Sequence, residues 1–445
     1  MQVIVILLTI LSLGTLFGFF YKPKWGAWCY LIYMFLAPYL YIGGFIIYAR
    51  TLFFIFFIFF LLKIHKKLKK RDYAPFMPFI MLLGCSSLFV LTAENMSFSF
   101  DAWITNVSPF FYILYLYGVM KTNPKSIKTF KWTLFGIMTA IMIYGLFLTL
   151  MPGVNPYLMI TQPLFGGEFN EAYALGRSGL DNGSKLVLNE GRMFGRISSV
   201  FTHPMLYGLN LGLFFIYILY LLKNKPKILF IFSLFIIIAI LTSGVRTSIG
   251  ALLFTIIIIL LFLRKYKFFF VFFLGFLIFI YILPLISPGM GEYVMSIFSQ
   301  EESTLKGSSI DMRLEQLEGC FEIVQNDLLL GKGYGWSKWY NATFGTHPTA
   351  LWFESISFST LVNTGLLGII LWIIFGIKYH KYVKHNIVNP ALQIVLLTLF
   401  VYFITFCMIT GEFGLTYFYV FYTIIICLND EIKDKYGTVQ RFQKY

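Results

Sequence analysis

The chain has 445 residues, of which 58% are hydrophobic and 12% charged, and its mean hydropathy is +0.78. Soluble domains carry about 25% charged residues, so this composition excludes a water-facing globule and points to a membrane protein. The net charge of +15 would suggest nucleic acid in a soluble protein. Here it reflects the Lys and Arg that gather in cytoplasmic loops, and no nucleic-acid partner is expected.

Apolar runs of about 20 residues recur, the length a helix needs to cross a hydrocarbon core of roughly 30 Å. Helix is the spanning form to expect, because a bilayer offers open backbone groups no partner and barrel strands would be short and alternating. The fold class is therefore all-α, a polytopic integral membrane protein with 12–14 transmembrane helices forming one membrane domain over 1–445. The first twenty residues are apolar, with no preceding positive charge and no small-residue cleavage site, and read as a retained helix. Basic clusters lie at 22–24, 63–71, 121–131, 223–227, 264–267, 378–384 and after 430. Two spans fit between successive clusters, so all of them can face the cytoplasm. The spans then fall at 2–21, 25–45, 46–62, 74–93, 102–120, 132–151, 200–222, 228–243, 247–263, 268–286, 351–377, 391–409 and 414–429.

Two large outer loops remain, 152–199 and 287–350. In the second, Ile310, Leu314, Leu317, Phe321, Val324 and Leu328 alternate steps of four and three, one face of an amphipathic helix. Ser308 or Ser309 can cap it, with Asp311 in its first turn. Gly331, Gly333 and Gly335 follow a helix and face away from cytoplasmic nucleotide, so they read as a turn rather than a phosphate loop. Of the five cysteines, Cys29, Cys85, Cys407 and Cys427 fall in spans and Cys320 in a loop, which gives no disulfide framework and no cysteine metal site.

Arginine breaks the charge rule. By this topology 22 of 26 Lys lie inside, whereas Arg50, Arg177, Arg192, Arg196, Arg246 and Arg313, six of nine Arg, lie outside or at the outer membrane face. Guanidinium grips phosphate or carboxylate through two parallel hydrogen bonds, and the outer leaflet offers a lipid-linked diphosphate as a suitable anion. The competing reading is that these arginines pair with the 16 acidic residues on the same side. Arg246 sits in Leu241-Thr-Ser-Gly-Val-Arg-Thr-Ser-Ile-Gly250, between two apolar helices and close to the membrane surface. An ionisable group at that depth faces a polar cavity or a structural partner, and both readings stay open. Arg196 immediately precedes a span and can face the same cavity. His65, His380 and His385 belong to basic clusters, and His203 precedes Pro204 at a helix start. His347, in Gly345-Thr-His-Pro348 beside the membrane mouth, is a candidate proton acceptor, as is Glu354, placed one or two turns into the next span.

These motifs resemble the superfamily of O-antigen ligases and Wzy-type polymerases. Gly195-Arg196-Ile-Ser-Ser-Val-Phe-Thr-His-Pro204 is similar to that family's helix-opening Gly-Arg motif, and Thr242-Ser-Gly-Val-Arg246 to its Ser-Arg turn. Met312-Arg313, Leu330-Gly-Lys-Gly-Tyr-Gly335, His347 and Gly365-Leu-Leu-Gly368 resemble its large outer loop and the helix after it. The likeness covers the family-like part, 200–380, and its flank from 190; Met205 and Pro348 depart from the pattern. The resemblance implies a GT-C-like glycosyltransferase of the bacterial inner membrane with its site on the outer face. It implies an undecaprenyl-diphosphate-linked oligosaccharide as donor, a glycan acceptor and, for a polymerase, a chain-length regulator. In that frame Arg196, Arg246 and Arg313 bind the donor diphosphate. Arg246 and Arg313 are also catalytic, and His347 or Glu354 takes the proton from the attacking hydroxyl. The chain holds no Asp-x-Asp pair, so no cofactor or metal is expected and inversion is the expected outcome. Polymerase of O-antigen or capsule repeats is the favoured function, with ligase as the alternative and a polysaccharide flippase as a weaker one.

Overall fold

The computed structural model describes residues 2–37, 40–42, 45–150, 155–165, 197–267, 270, 274, 310–351, 353–411 and 415–442. Its helices are α1 (Gln2–Phe20), α2 (Pro23–Leu36), α3 (Ala49–Lys63), α4 (Met77–Ser86), α5 (Met96–Val107), α6 (Pro109–Thr122), α7 (Lys125–Leu150) and α8 (Pro156–Phe165). They continue with α9 (Pro204–Leu221), α10 (Pro226–Thr242), α11 (Arg246–Phe262), α12 (Ile310–Val324), α13 (Trp336–Phe344), α14 (Ile356–Asn386), α15 (Pro390–Thr410) and α16 (Leu415–Phe442). Proline opens α2, α6, α9, α10 and α15, where its fixed φ suits a first turn and its missing N–H costs nothing. Among the described residues, five segments are long and apolar enough to cross a membrane: Lys70–Val90, Lys125–Leu150, Pro204–Leu221, Ile356–Asn386 and Pro390–Thr410. Shorter apolar helices accompany them, as a polytopic membrane protein requires.

Three expectations need correction. The span at 25–45 is helical only to Leu36; the chain then pairs β1 (Leu40–Ile42) with β2 (Phe45–Ile47) in an antiparallel hairpin. Pro38 and Gly43-Gly44 in the sequence oppose a continuous helix. The span at 102–120 is two helices meeting at Ser108-Pro109. The span at 351–377 begins at Ile356, capped by the Ser355 hydroxyl, so Glu354 precedes the helix instead of lying inside it. All of the expected span 268–286 except residues 270 and 274, most of the first large loop and residues 287–309 of the second lie outside the described residues.

Contacts within the loops order the two ends of the bundle. At one end Lys63 donates to the carbonyls of Phe19 and Phe20, and Lys121 lies between Asp72 and Asp430 at 3.6 and 2.7 Å. The Asn429 side chain joins Val388 and Asn386 there. The lysine clusters around 22, 63, 121 and the tail therefore share one end. At the opposite end Arg50 pairs with Asp101, so for Arg50 the reading of an acidic partner holds.

The interior is held by tyrosines. Tyr112, Tyr207, Tyr217, Tyr379, Tyr402 and Tyr422 are fully buried or nearly so, and each hydroxyl donates to a main-chain carbonyl of another segment: Ala27, Met142, Lys131, Leu396, Gly208 and Pro75. Apolar attraction is weak between helices already surrounded by lipid, so packing and such interhelical hydrogen bonds carry association. Gly18 and Gly26 let α1 and α2 touch along their backbones, since a Cβ at Gly18 would meet the Gly26 nitrogen at 2.1 Å.

Candidate functional site

The site is built where α9, α11, α12, α14 and α15 meet at the lysine-poor end. Its frame is set by Tyr402, whose hydroxyl bonds the Gly208 carbonyl at 3.2 Å. A Cβ at Gly208 would lie 2.2 Å from the Ser248 hydroxyl, so α9, α11 and α15 are in contact at this level. Ser248 is half a turn into α11, so Arg246, its first residue, lies about one turn of helix or less from the level of Tyr402. The turn before it is tight. Gly244 has φ +66°, and the buried Ser243 hydroxyl donates to Ile240 and accepts from Val245. Arg246 itself is half-buried. A cation in the first turn opposes the helix dipole, whereas the N-terminus attracts anions, so this position suits an arginine that meets an anion.

Arg313 is held from three elements. Its Nη1 donates to Gln316 Oε1 at 3.1 Å and to the Glu354 carbonyl at 2.6 Å; its Nη2 donates to Glu354 Oε2 at 3.0 Å and to the Ile409 carbonyl at 2.8 Å. Ile409 is two turns beyond Tyr402 along α15, roughly 10 Å of helix rise, so Arg313 and Arg246 occupy the same end of the α11–α15 pair. Burial lowers the Arg313 pKa while Glu354 opposes that fall; guanidinium remains charged in any protein setting.

The face of α12 that packs inward coincides only in part with the one the apolar spacing marks. Val324 is buried as that spacing expects, but Leu314 and Phe321 are 55% and 48% exposed while Gln316, Gly319 and Cys320 are buried. Gly319 and Cys320 bring α12 onto the segment before α14, where a Cβ at Gly319 would meet the Thr349 hydroxyl at 2.3 Å. This close approach turns Arg313 and Gln316 toward Glu354. Burial pushes the Cys320 thiol up to about 12, which makes it a packing group. Gln316 was not anticipated: a fully buried amide on a loop helix has no apolar period to mark it.

His347 sits in a short bridge in which its main chain pairs with Leu351 in both directions, at 3.2 and 3.1 Å. Its ring lies 5.1 Å from Tyr340 and 6.0 Å from Phe353, centroid to centroid. Nδ1 accepts from the amides of Thr349 and Ala350 at 3.3 and 3.1 Å. The neutral ring then carries its proton on Nε2. Burial lowers its pKa, partly offset by Glu322. Arg196 lies outside the described residues, as do Arg177 and Arg192. The segment that follows Arg196 is fixed: Asn155 Nδ2 donates to the Ser199 carbonyl at 2.7 Å, and the Ser199 hydroxyl to Ile141.

The glycine run behaves as a turn. Gly331, Gly333 and Gly335 all have positive φ, and Gly365 breaks α14 at φ +60°. The two breaks interlock. Lys332 N–H bonds the Val362 carbonyl at 2.8 Å, and the amides of Leu366 and Leu367 bond the carbonyls of Leu328 and Leu329. Behind them Asn106, Tyr334, Lys338, Asn363 and Trp372 help line a cavity of about 70 Å³, room for water rather than a sugar ring.

Residues 230–373 match the family model described as O-antigen ligase. That segment contains Arg246, Arg313, His347 and Glu354, whereas α9 and α15, which help to frame them, lie outside it. Over residues 230–373 the chain is similar to the O-antigen ligase family. The superfamily resemblance read from the motifs is thereby established for this part of the chain, which brings membrane glycosyltransferase-type activity, lipid-linked glycan substrates and a multi-pass bacterial membrane setting. No curated protein and no solved structure matches the chain. Among the described residues, no group of three or more His, Cys, Asp or Glu could hold a metal ion.

Proposed function

We propose that the chain is a polymerase that joins undecaprenyl-diphosphate-linked oligosaccharide repeats of an O-antigen or capsule at the outer face of the inner membrane. The observation that carries this reading is Arg313, fixed by Glu354 and Ile409 at the same helix ends that present Arg246, within a segment similar to the O-antigen ligase family. The donor diphosphate lies between Arg246 and Arg313, with Arg196 closing the set. The acceptor hydroxyl attacks the anomeric carbon, the bond to the diphosphate oxygen breaks, and negative charge grows on that oxygen. Guanidinium groups already in place stabilise the charge more in the transition state than in the ground state.

Glu354 and the donor compete for one partner. The donors that a diphosphate would take from Arg313 are those now given to the Glu354 carboxylate. Donor binding therefore releases Glu354 close to the acceptor, where it takes the hydroxyl proton as general base. His347 is suited to a different task, because its Nδ1 is occupied and its Nε2–H can donate a hydrogen bond to a sugar or phosphate oxygen. The mechanism uses no metal and inverts the anomeric centre.

The family's description favours a second reading, ligase, which differs only in the acceptor. Deleting the gene and complementing with wild type or Arg246→Ala separates the two. Acceptor-attached glycan cut to a single repeat supports the polymerase, whereas long polymer stranded on undecaprenyl diphosphate assigns the ligase. Unchanged surface and lipid-linked glycans would overturn both.

A further inference from the structure

A second site lies at the other end of the bundle. The end of α1, the turn into α2 and the ends of α3 and α6 enclose a pocket of about 340 Å³ lined by Tyr21, Lys22, Lys24, Trp25, Lys63 and Lys67 with Thr122 and Asn123. Four lysines line it and no carboxylate does. Lys63 is occupied by the carbonyls of Phe19 and Phe20, closing the last turn of α1. Among the described residues Lys22, Lys24 and Lys67 have no ion-pair partner, and the nearby acids Asp72 and Asp430 are engaged by Lys121 instead. The general bias of lysine toward the cytoplasm explains which side these residues occupy. It does not explain why three of them converge on one concave space without a counter-charge.

Exposed aromatic side chains flank the pocket. Tyr21 and Trp25 are 70% and 53% exposed beside it, and Phe20 and Phe17 continue the exposed apolar surface of α1 at 67% and 61%. Amphipathic rings of this kind mark the membrane–water interface, and basic pockets between helices on the cytoplasmic side hold anionic headgroups. We propose that this pocket binds the phosphate headgroup of an anionic phospholipid of the inner leaflet. Lys22, Lys24 and Lys67 contact the phosphate, and Trp25 and the α1 surface lie along the acyl chains.

The test uses the full chain in detergent and native mass spectrometry with phosphatidylglycerol or phosphatidylcholine added. Wild type should keep phosphatidylglycerol adducts that the Lys22→Gln/Lys24→Gln/Lys67→Gln chain loses by about tenfold or more, with phosphatidylcholine adducts equal in both. The matched Arg variant should keep them. A Gln chain that retains phosphatidylglycerol like wild type overturns the proposal, and so does equal loss in Lys66→Gln/Lys70→Gln/Lys128→Gln, whose lysines lie outside the pocket. Displacement of the adducts by millimolar glycerol 3-phosphate would assign the pocket to soluble phosphate esters and overturn the lipid as its source. Should the triple Gln chain not fold, Lys24→Gln and Lys67→Gln singly should each lose adducts about fivefold; no loss in either overturns it.

Discussion

Arg313 and Glu354 lie 41 positions apart, and no local pattern announces that they meet. The sequence marks each of them: an outer arginine that opposes the insertion bias, and a carboxylate beside a span. It gives no hint that the carboxylate holds the arginine when no donor is bound. That pairing makes Glu354→Gln informative. Gln leaves Arg313 less tightly held, so donor binding should be kept or strengthened, while turnover falls by roughly 10²–10⁴ through loss of the base. Equilibrium donor binding and single-turnover transfer measure the two separately, and unchanged turnover would remove Glu354 from the proton path. His347 gives a pH signature. Its pKa lies below the usual 6.5, so the neutral ring is favoured in the folded chain. The associated stability is complete above the usual value and lost as pH falls through the lowered one. Protonating Nδ1 ends its acceptance from the Thr349 and Ala350 amides and so disturbs the loop that aims Nε2–H. Transfer should be flat above pH 6.5 and decline below it, and His347→Gln should abolish that acid limb. A limb that survives in the Gln chain belongs to another group.

The elements of the membrane domain were legible because hydropathy and lysine sidedness act over 20 residues at a time. Failures of the reading cluster where backbone geometry or small side chains override the apolar period. Leu314 and Phe321 carry the period of α12, yet Gly319 and Cys320 decide its buried face because only small residues permit the contact with Thr349 and Ala350. The Gly365-Leu-Leu-Gly368 motif was visible, but not its use as a break in α14 that receives 328–332. That use predicts a sharp contrast between two glycines. A Cβ at Gly365 would lie 2.5 Å from the Leu329 carbonyl carbon at a φ of +60°, whereas at Gly250, within α11, nothing lies within 4 Å. Gly365→Ala should cost about 1–3 kcal/mol or more. Gly250→Ala should be neutral or stabilise by up to about 1 kcal/mol. Thermal unfolding in detergent would show it, and equal midpoints for the two variants would refute the interlock.

Across the whole molecule, aromatic hydroxyls do what charge does elsewhere. The tyrosines that join α9 to α15, α7 to α9 and α14 to α15 place one polar bond in an otherwise apolar contact, which fixes helix register without burying a charge. Each is worth little alone, on average about 0.6 kcal/mol in membrane proteins. Tyr402→Phe should therefore lower stability by roughly that amount in a chemical-denaturation series. Because Tyr402 also sets the level of Arg246 against α15, the same change should lower transfer by more than its stability cost explains. A variant with lowered stability and full activity would confine Tyr402 to packing.

The clasp between 328–332 and the break at Gly365 bears on how the protein could be re-engineered. The Val362 carbonyl and the amides of Leu366 and Leu367 would lose their hydrogen-bond partners if that strip of chain were removed. A chimera made by exchanging outer segments between homologues would thus have its splice points outside 327–335, carrying this strip and α14 as one cassette. Glycan preference could then be shuffled upstream of it without stripping the bundle of its own plug.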